Sequence, residues 1–375
     1  MSFTPVSDDG ARTKAGKAPF DHATDELLIH SVERKSSDLH LTAGLPPMIR
    51  VDGTLRPLDQ YAVLDPMDTQ TMLYQILSDR QITRFESDHE LDFSYGVRGV
   101  GRFRVNAYIQ RGAIGIAFRV IPSKIPTLED LGMPAATLRR MCTRGSGLIL
   151  VTGPTGAGKS TTLASMVDVV NSTRRCHIMT IEDPIEYLHM HKQSMVNQRE
   201  LGSDTFAFAA ALRAVLREDP DVILVGEMRD LETIQAALTV AETGHLVFAT
   251  LHTRSAPQSI DRIIDVFPPH QQEQIRIQLA STLEAVVSQQ LLPRYGTPGR
   301  VPAYEIMICN SAVRNLIREG KTRQIYSVIE TSAQEGMVLM DVTLAELQAR
   351  GAVSYDDAMH HALDPDYFKR LSRRN

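Results

Sequence analysis

The sequence predicts an α/β protein in which a small α+β domain precedes a larger domain with a parallel-rich sheet and a helical C-terminal region. From residue 128 onward, short apolar strands alternate with longer segments of helical periodicity, which is typical of parallel strands joined by helices. Before that point, short alternating strands indicate a separate domain. A chain of 375 residues is long enough for both.

The composition excludes several classes of protein. Hydrophobic residues make up 43% of the chain and charged residues 23%, as in globular proteins. A net charge of -5 without a large basic block makes nucleic acid an unexpected direct partner. The widely spaced Cys142, Cys176 and Cys309 form neither a disulfide framework nor a tetracysteine zinc site. Without an apolar run of bilayer length or a signal peptide, we expect a cytoplasmic protein with no transmembrane segment.

The N-terminal part of the chain predicts a tail and a small domain. Residues 1–22 are mostly small and polar, and we expect them to form a disordered tail. The α+β domain is expected over residues 23–121, with a helix over 23–34. Its predicted strands cover residues 38–42, 47–51, 101–106 and 114–120.

A linker and two further regions follow. Pro122 and Pro126 predict a stiff linker over residues 122–127, because neither a strand nor a helix continues through them. A core domain is expected over residues 128–295 and a mostly helical region over 296–375. The core strands are predicted at 147–152, 177–181, 221–225 and 245–251, and its helices at 159–170, 206–217 and 231–241.

A phosphate-binding loop is indicated between the first core strand and the helix that follows it. The run Gly153, Pro154, Thr155, Gly156, Ala157, Gly158, Lys159, Ser160 matches G-x-x-x-x-G-K-S/T, and Thr161 continues it. In such loops the main-chain N–H groups surround the phosphates and the helix N-terminus adds positive potential. Lys159 is expected to reach the β- and γ-phosphates and Ser160 to ligate magnesium. The run therefore predicts a site for Mg-ATP.

Acidic residues follow two other core strands. The strand at 221–225 leads to Glu227, where P-loop enzymes place the acid on the magnesium side. Glu182, Asp183 and Glu186 follow the strand at 177–181, at the sheet edge where ligands gather. One of these three can act as base toward the attacking water, and spacing alone does not choose among them.

Histidines stand at both ends of the strand at 245–251. His252, at the carboxyl end, is a candidate sensor of the γ-phosphate, and His245 lies at the other end. Neither is clustered with cysteines or acids as a zinc site requires.

The segments around these residues resemble the four nucleotide-site boxes of the secretion and pilus ATPase superfamily. Within it the chain is similar to the PilT family of type IV pilus retraction motors, from about residue 23 to 357. A compact N-terminal domain, the lack of a tetracysteine motif and the run Ala312 to Glu319 favour this family over the extension branch. That run, AVRNLIRE, resembles the retraction signature AIRNLIRE with Val313 in place of isoleucine. The four boxes are residues 153–161, 180–187, 219–230 and 241–253.

The resemblance implies a RecA-like P-loop NTPase domain behind a PAS-like N-terminal domain. It implies that Lys159 and Ser160 bind phosphate and magnesium and that Glu186 is the catalytic base. It also implies that Glu227 is the magnesium-side acid and that His252 senses the γ-phosphate.

The resemblance further implies a hexameric ring in which the N-terminal domain of one subunit leans on the nucleotide domain of another. Phosphoryl transfer often needs an arginine, and no obvious one lies beside the loop in sequence. Arg102 and Arg104 share one face of a predicted strand and Arg119 ends the next, so we expect this set to supply the charge.

The implied function is an ATP-hydrolysing motor for pilus retraction and twitching motility. It would act peripherally at the inner-membrane base of the pilus, with a membrane platform protein and a paralogous retraction ATPase as candidate partners. A pilus-extension, type II secretion or DNA-uptake ATPase of the same superfamily is the alternative. A scaffold that binds ATP only to hold a ring together is disfavoured by the intact acids, and a GTPase by the lack of an Asn-Lys-x-Asp motif.

Overall fold

The computed structural model describes residues 24–51, 53–122 and 124–373. The chain divides into two compact units, and their boundary falls between residues 123 and 124. The predicted tail, residues 1–22, lies outside the described residues, as does Ser123 within the predicted linker. The domain limits and the linker stay predictions. Among the described residues, no helix is both long and apolar enough to cross a membrane.

The N-terminal unit is an antiparallel sheet with helices packed on one face. The strand order is β3-β2-β1-β6-β5-β4. Leu39, Phe118 and Val105 align across three neighbouring strands and pack against helical residues in one core. The described elements are α1 Thr24–Glu33, β1 Asp38–Thr42, β2 Met48–Val51, β3 Thr54–Pro57, α2 Pro66–Tyr74, α3 Asp79–Asp88, β4 Glu90–Val97, β5 Gly101–Gln110 and β6 Ala113–Ile121.

The second unit is a mixed sheet with helices on both faces. The order is β13-β12-β7-β11-β10-β8-β9, and only the pairing of β13 with β12 is antiparallel within the described residues. Its strands are β7 Gly147–Thr152, β8 His177–Glu182, β9 Met195–Glu200, β10 Val222–Val225, β11 Leu246–Leu251, β12 Leu283–Pro293 and β13 Arg300–Ile308.

The helices of this unit cover the sheet and form its C-terminal part. The described α-helices are α4 Ala135–Cys142, α5 Lys159–Thr173, α6 Phe208–Val215, α7 Leu231–Glu242, α8 Ala256–Asp265, α9 Pro269–Thr282, α10 Ser311–Arg318, α11 Ile325–Thr331, α12 Met340–Ala349, α13 Tyr355–His361 and α14 Pro365–Ser372.

The central strands are apolar at nearly every position because both of their faces are covered. Leu148 and Leu150 of β7 face a core shared with α7, α8 and α9, whereas Ile149 and Val151 face a core shared with α4 and α5. Every residue of β7 is buried. Strands buried on both faces read as continuous apolar runs, as predicted for a parallel sheet.

The predicted fold class is confirmed, and the differences lie in particular strands. The bounds predicted for β1 and β7 agree with the structure, whereas β3, β4, β9, β12 and β13 were not predicted. Polar Ser288, Gln289 and Gln290 interrupt the apolar run of β12, yet all three are buried. Strand β13 extends the sheet into the region predicted as mostly helical. The likeness of the N-terminal unit to a PAS domain stays a prediction.

Candidate nucleotide site

The loop between β7 and α5 has the backbone of a phosphate-binding loop. Gly153 has φ +145° and Gly156 has φ +79°, both on the side that favours glycine. A Cβ on Gly153 would lie 2.2 Å from the main-chain oxygen of Gln289, so a side chain does not fit there. Beyond the loop, α5 begins at Lys159, and its first N–H groups lack partners one turn back in the helix. The loop and the helix start together form a place for an anion.

Lys159 lies along this loop. Its Nζ donates to the main-chain oxygens of Gly153 at 2.9 Å and Pro154 at 3.1 Å. Burial lowers the pKa of Lys159, and the negative charges of Glu227 and Glu186 act in the opposite direction. The segment that carries Glu186 reaches the start of α5, where the Tyr187 hydroxyl lies 3.1 Å from the Thr161 hydroxyl. The structure therefore brings three predicted site residues together.

Gln289 supports the loop from β12, and the sequence analysis did not find it. Its Nε2 donates to the main-chain oxygen of Ala157 at 2.6 Å, and the residue is 2% exposed. Its own main-chain oxygen is the group that crowds Gly153. Only a correct assignment of β12 as the strand beside β7 would have pointed to it.

Glu227 stands just beyond the end of β10 and contacts two cationic or potentially cationic groups. Arg229 Nε lies 2.7 Å from Glu227 Oε1, and His252 Nε2 lies 2.8 Å from the same oxygen. Burial acts to raise the pKa of Glu227, but the hydrogen bond from Arg229 and the charge of His252 outweigh it and hold this pKa below its usual value. Glu227 is therefore an ionised carboxylate at neutral pH.

Arg229 is a positive group at the site that the sequence analysis did not single out. Its Nη2 donates to Glu227 Oε2 at 2.7 Å, its charge also acts on Asp183, and its side chain is 75% exposed. The sequence feature that could have identified Arg229 is its position two residues after Glu227, in the segment between β10 and α7. Asp230 accepts from Thr233 N at 2.8 Å and caps α7, which fixes the end of this segment.

The three acids at the carboxyl end of β8, of which Glu182 is the last residue of the strand, have different surroundings. Glu182 Oε1 accepts from the Thr180 hydroxyl at 2.7 Å and from the Gln198 amide at 3.2 Å, and burial raises the pKa of Glu182 to about 7. Asp183 and Glu186 are both exposed. Of the three, Glu186 is the one whose charge acts on Lys159. This difference favours Glu186 as the acid that faces the nucleotide loop.

The two histidines that flank β11 lie at opposite ends of the strand. His252 follows the strand and contacts Glu227, whereas His245 precedes it and has Nδ1 3.1 Å from the main-chain oxygen of Val240. His245 is therefore not brought to the site. Ser255 caps α8 shortly after His252, its side chain accepting from Gln258 N, and this anchors the segment that carries the sensor candidate.

The oxygen donors near the loop fit magnesium. Ser160 and Glu227 provide a hydroxyl and a carboxylate oxygen, the ligands that Mg²⁺ prefers. In the part of the chain that the structure describes, no group of three or more His, Cys, Asp or Glu residues is placed to hold a metal ion. Magnesium usually takes one or two protein oxygens plus substrate phosphates rather than an all-protein cage.

The three predicted arginines lie in the N-terminal unit, on the polar face of its sheet. The register places Arg104 beside Arg119 and Arg119 beside Asp38. Arg119 Nε donates to Asp38 Oδ1 at 3.0 Å, and Arg102 Nη2 donates to the Ser94 hydroxyl at 2.6 Å. The arginines form one basic group, and their action on a nucleotide stays a proposal.

These features define a P-loop ATPase with a RecA-like nucleotide domain, since the loop, its lysine and the acids after neighbouring parallel strands occur together. The chain belongs to the family described as "Type II/IV secretion system protein", which matches residues 13–359, and within it to the PilT-type ATPases.

Two relatives and one solved structure support this family assignment. The chain is 52% identical over 343 residues to the "Type IV pilus retractation ATPase PilT" of Pseudomonas aeruginosa, which covers 92% of this chain and 99% of that protein. It is 48% identical to a "Twitching motility protein" of Neisseria gonorrhoeae, over 88% of this chain and 89% of the relative. A crystal structure of the pilus retraction motor PilT with bound ADP superposes with a TM-score of 0.87 at 51% identity, over 93% of this chain and 100% of that one.

Proposed function

We propose that this chain is the ATP-driven motor that retracts type IV pili and so powers twitching motility. The observation that carries the proposal is the position of Lys159, Glu186 and Glu227 after the carboxyl ends of the parallel strands β7, β8 and β10, where the charges of the two acids act on the lysine. Ligands of open α/β sheets bind at these ends. The names of the two relatives, a pilus retraction ATPase and a twitching motility protein, are the reason for proposing retraction rather than extension.

In this proposal the triphosphate lies in the loop of residues 153–158. Lys159 exchanges its main-chain acceptors in the loop for β- and γ-phosphate oxygens. Ser160 and Glu227 would hold Mg²⁺, which neutralises charge on the phosphate oxygens when bound. Glu186 accepts a proton from a water molecule as the water oxygen bonds to the γ-phosphorus. The bond between that phosphorus and the bridging oxygen breaks, the oxygen keeps the electron pair, and ADP and phosphate result.

His252 would report the presence of the γ-phosphate. Its Nε2 contacts Glu227, and the next turn of chain leads into α8. A change of charge at the γ-phosphate position alters the field on this pair, and α8 is the element through which the change reaches the rest of the unit.

Mechanical work needs subunits that move against one another. We place six copies in a ring in which Arg102, Arg104 and Arg119 of one subunit supply positive charge to the nucleotide of a neighbour. The segment at residues 122–127 serves as the hinge. The ring works on the cytoplasmic side, at the inner-membrane base of the pilus, and pushes on a platform protein there, with a paralogous retraction ATPase as a further candidate partner.

The site assignment is tested by turnover and binding on the purified chain. Lys159→Ala should abolish ATP binding and turnover. Glu186→Gln should still bind ATP but hydrolyse it about 10²- to 10⁴-fold more slowly, the usual contribution of a general base. Glu182→Gln and Asp183→Asn should each lower turnover less than Glu186→Gln. Full turnover in Glu186→Gln would discard the assignment of the base.

The direction of work is tested in the source cell. Deleting the gene should leave excess surface pili and no twitching, and the wild-type gene but not the Glu186→Gln form should restore motility. Loss of surface pili would instead indicate an extension ATPase. A secretion defect with unchanged pili would indicate a type II secretion ATPase, and lost DNA uptake with normal twitching would indicate a DNA-uptake ATPase.

A further inference from the structure

Gln198 holds the chain on both sides of Glu186. It lies on β9, the strand at the edge of the sheet beside β8. Its Nε2 donates to Glu182 Oε1 at 3.2 Å and to the main-chain oxygen of Tyr187 at 2.8 Å, and its Oε1 accepts from His189 N at 2.8 Å. The amide nitrogen and the amide oxygen of Gln198 therefore both bind the segment of residues 182–189.

Strand β9 holds the same segment at a second point. Glu200 is 4% exposed, and its Oε2 accepts from Ile185 N, the residue before Glu186, at 3.0 Å. On the other side, the Tyr187 hydroxyl lies 3.1 Å from the Thr161 hydroxyl at the start of α5. The main chain next to Glu186 is thus anchored in both directions along the sequence.

The exposed carboxylate of Glu186 depends on this anchoring. Within the described part of the chain, no hydrogen bond or ion pair fixes that carboxylate, and its interaction with Lys159 is one of charge. A side chain without direct partners is directed by its backbone. The contacts from β9 fix the main chain on both sides of Glu186, from which its side chain extends.

We propose that Gln198 is a positioning residue for hydrolysis, which fixes the segment that carries Glu186 without touching the nucleotide. The inference rests on the proposed function, because it takes Glu186 as the base. A displacement of about 1 Å at a reacting group lowers a rate by about 10²-fold. Nucleotide affinity comes from the loop after β7, so loss of Gln198 should change turnover and leave affinity nearly unaltered.

The chemistry of the position explains why glutamine serves there. A glutamate would still accept from His189 N but would offer no donor to Glu182 or Tyr187, and would set two carboxylates side by side. Burial raises the pKa of Glu182, and the hydrogen bond from the Gln198 amide acts in the opposite direction, because it stabilises the ionised carboxylate. A methionine has a similar length and none of these groups, so it removes all three contacts with little change in volume.

The test compares Gln198→Met with Asn197→Leu in the purified full-length chain. Asn197 is the adjacent residue on β9, points to the other face and contacts His177 at 3.0 Å, away from Glu186. We expect Gln198→Met to lower kcat at saturating Mg-ATP about 10- to 100-fold, with the Kd for ADP within about 3-fold of wild type. Asn197→Leu should leave both within about 2-fold. A wild-type kcat in Gln198→Met would overturn the proposal.

A double variant shows whether Gln198 acts through the base. In a Glu186→Gln background, Gln198→Met should lower the residual rate little further, because the group that it positions is already disabled. A drop as large as in the single variant would overturn the proposal. If Gln198→Met does not fold, Gln198→Glu replaces it with the same expected loss. Full activity in Glu186→Gln alone would instead discard Glu186 as the base, the part of the proposed function on which this inference rests, so the two failures are distinct.

Discussion

Two glycines of the nucleotide loop should respond differently to the same substitution. Both have positive φ, but a Cβ on Gly153 would lie 2.2 Å from the main-chain oxygen of Gln289, whereas a Cβ on Gly156 meets nothing within 4 Å. Gly156→Ala should therefore cost only the backbone penalty, about 1–2 kcal/mol. Gly153→Ala has a backbone penalty of its own. In addition, the new Cβ overpacks against β12, which has to move, at a cost of about 1–3 kcal/mol. We expect this variant to cost about 1–3 kcal/mol more than Gly156→Ala.

Unfolding of the nucleotide-free chain measures this difference without any contribution from phosphate contacts. For a unit of this size, 1 kcal/mol lowers the Tm by about 2–4 °C, so Gly153→Ala should melt about 2–12 °C below Gly156→Ala. Urea melts give the same comparison as a free energy. Equal losses for the two variants would show that β12 does not press on the loop, and would refute the close approach of Gln289.

Three further results are expected. His252→Ala should lower turnover about 10- to 100-fold in a phosphate-release assay while ADP affinity changes less, because Glu227 loses one partner but the loop stays intact; a wild-type rate would contradict the sensor role. Burial raises the pKa of Glu305 from 4.5 to about 7, so between these pH values the folded chain binds more protons than the unfolded chain and loses stability as pH rises. In urea melts, the free energy of unfolding of Glu305→Gln should rise relative to wild type by up to about 3 kcal/mol between pH 4.5 and 8. If the free energies of unfolding of the two proteins changed equally with pH, Glu305 would not be a buried acid with a raised pKa. Asp38→Asn leaves Arg119 without its carboxylate and should destabilise the N-terminal unit by about 1 kcal/mol, seen as faster amide exchange in β1 and β6, and unchanged exchange would argue against that ion pair.

The sequence was most informative where both faces of a strand are covered. In β7 every residue is buried, so an unbroken apolar run between a turn and a glycine-rich loop could only be a central strand. In β12 the inner positions include Ser288 and Gln289, which find polar partners in Thr152 and the loop. Such burial depends on what the strand packs against, and that information is not local to the run.

The candidate site shows the same division. The loop, Glu227 and His252 each carry a local signal, since each directly follows an apolar strand. The surroundings that favour Glu186 over Glu182 are not visible in the spacing: the Gln198 amide on β9 binds Glu182, and the charge of Glu186 acts on Lys159. Spacing cannot reveal which of two nearby acids is already occupied.

Strand β12 contacts the phosphate loop and leads toward the C-terminal helices of its unit. In the second half of the strand, Gln289 touches the loop through both its side chain and its backbone. Just after the strand ends, in the turn before β13, Tyr295 N donates to the Ala352 oxygen at 2.9 Å, shortly before α13. Because β12 and β13 are paired along their length, the phosphate loop and the chain before α13 are attached to the same two-stranded ribbon. A shift of β12 caused at the loop would therefore act on the C-terminal helices through hydrogen bonds that are already in place.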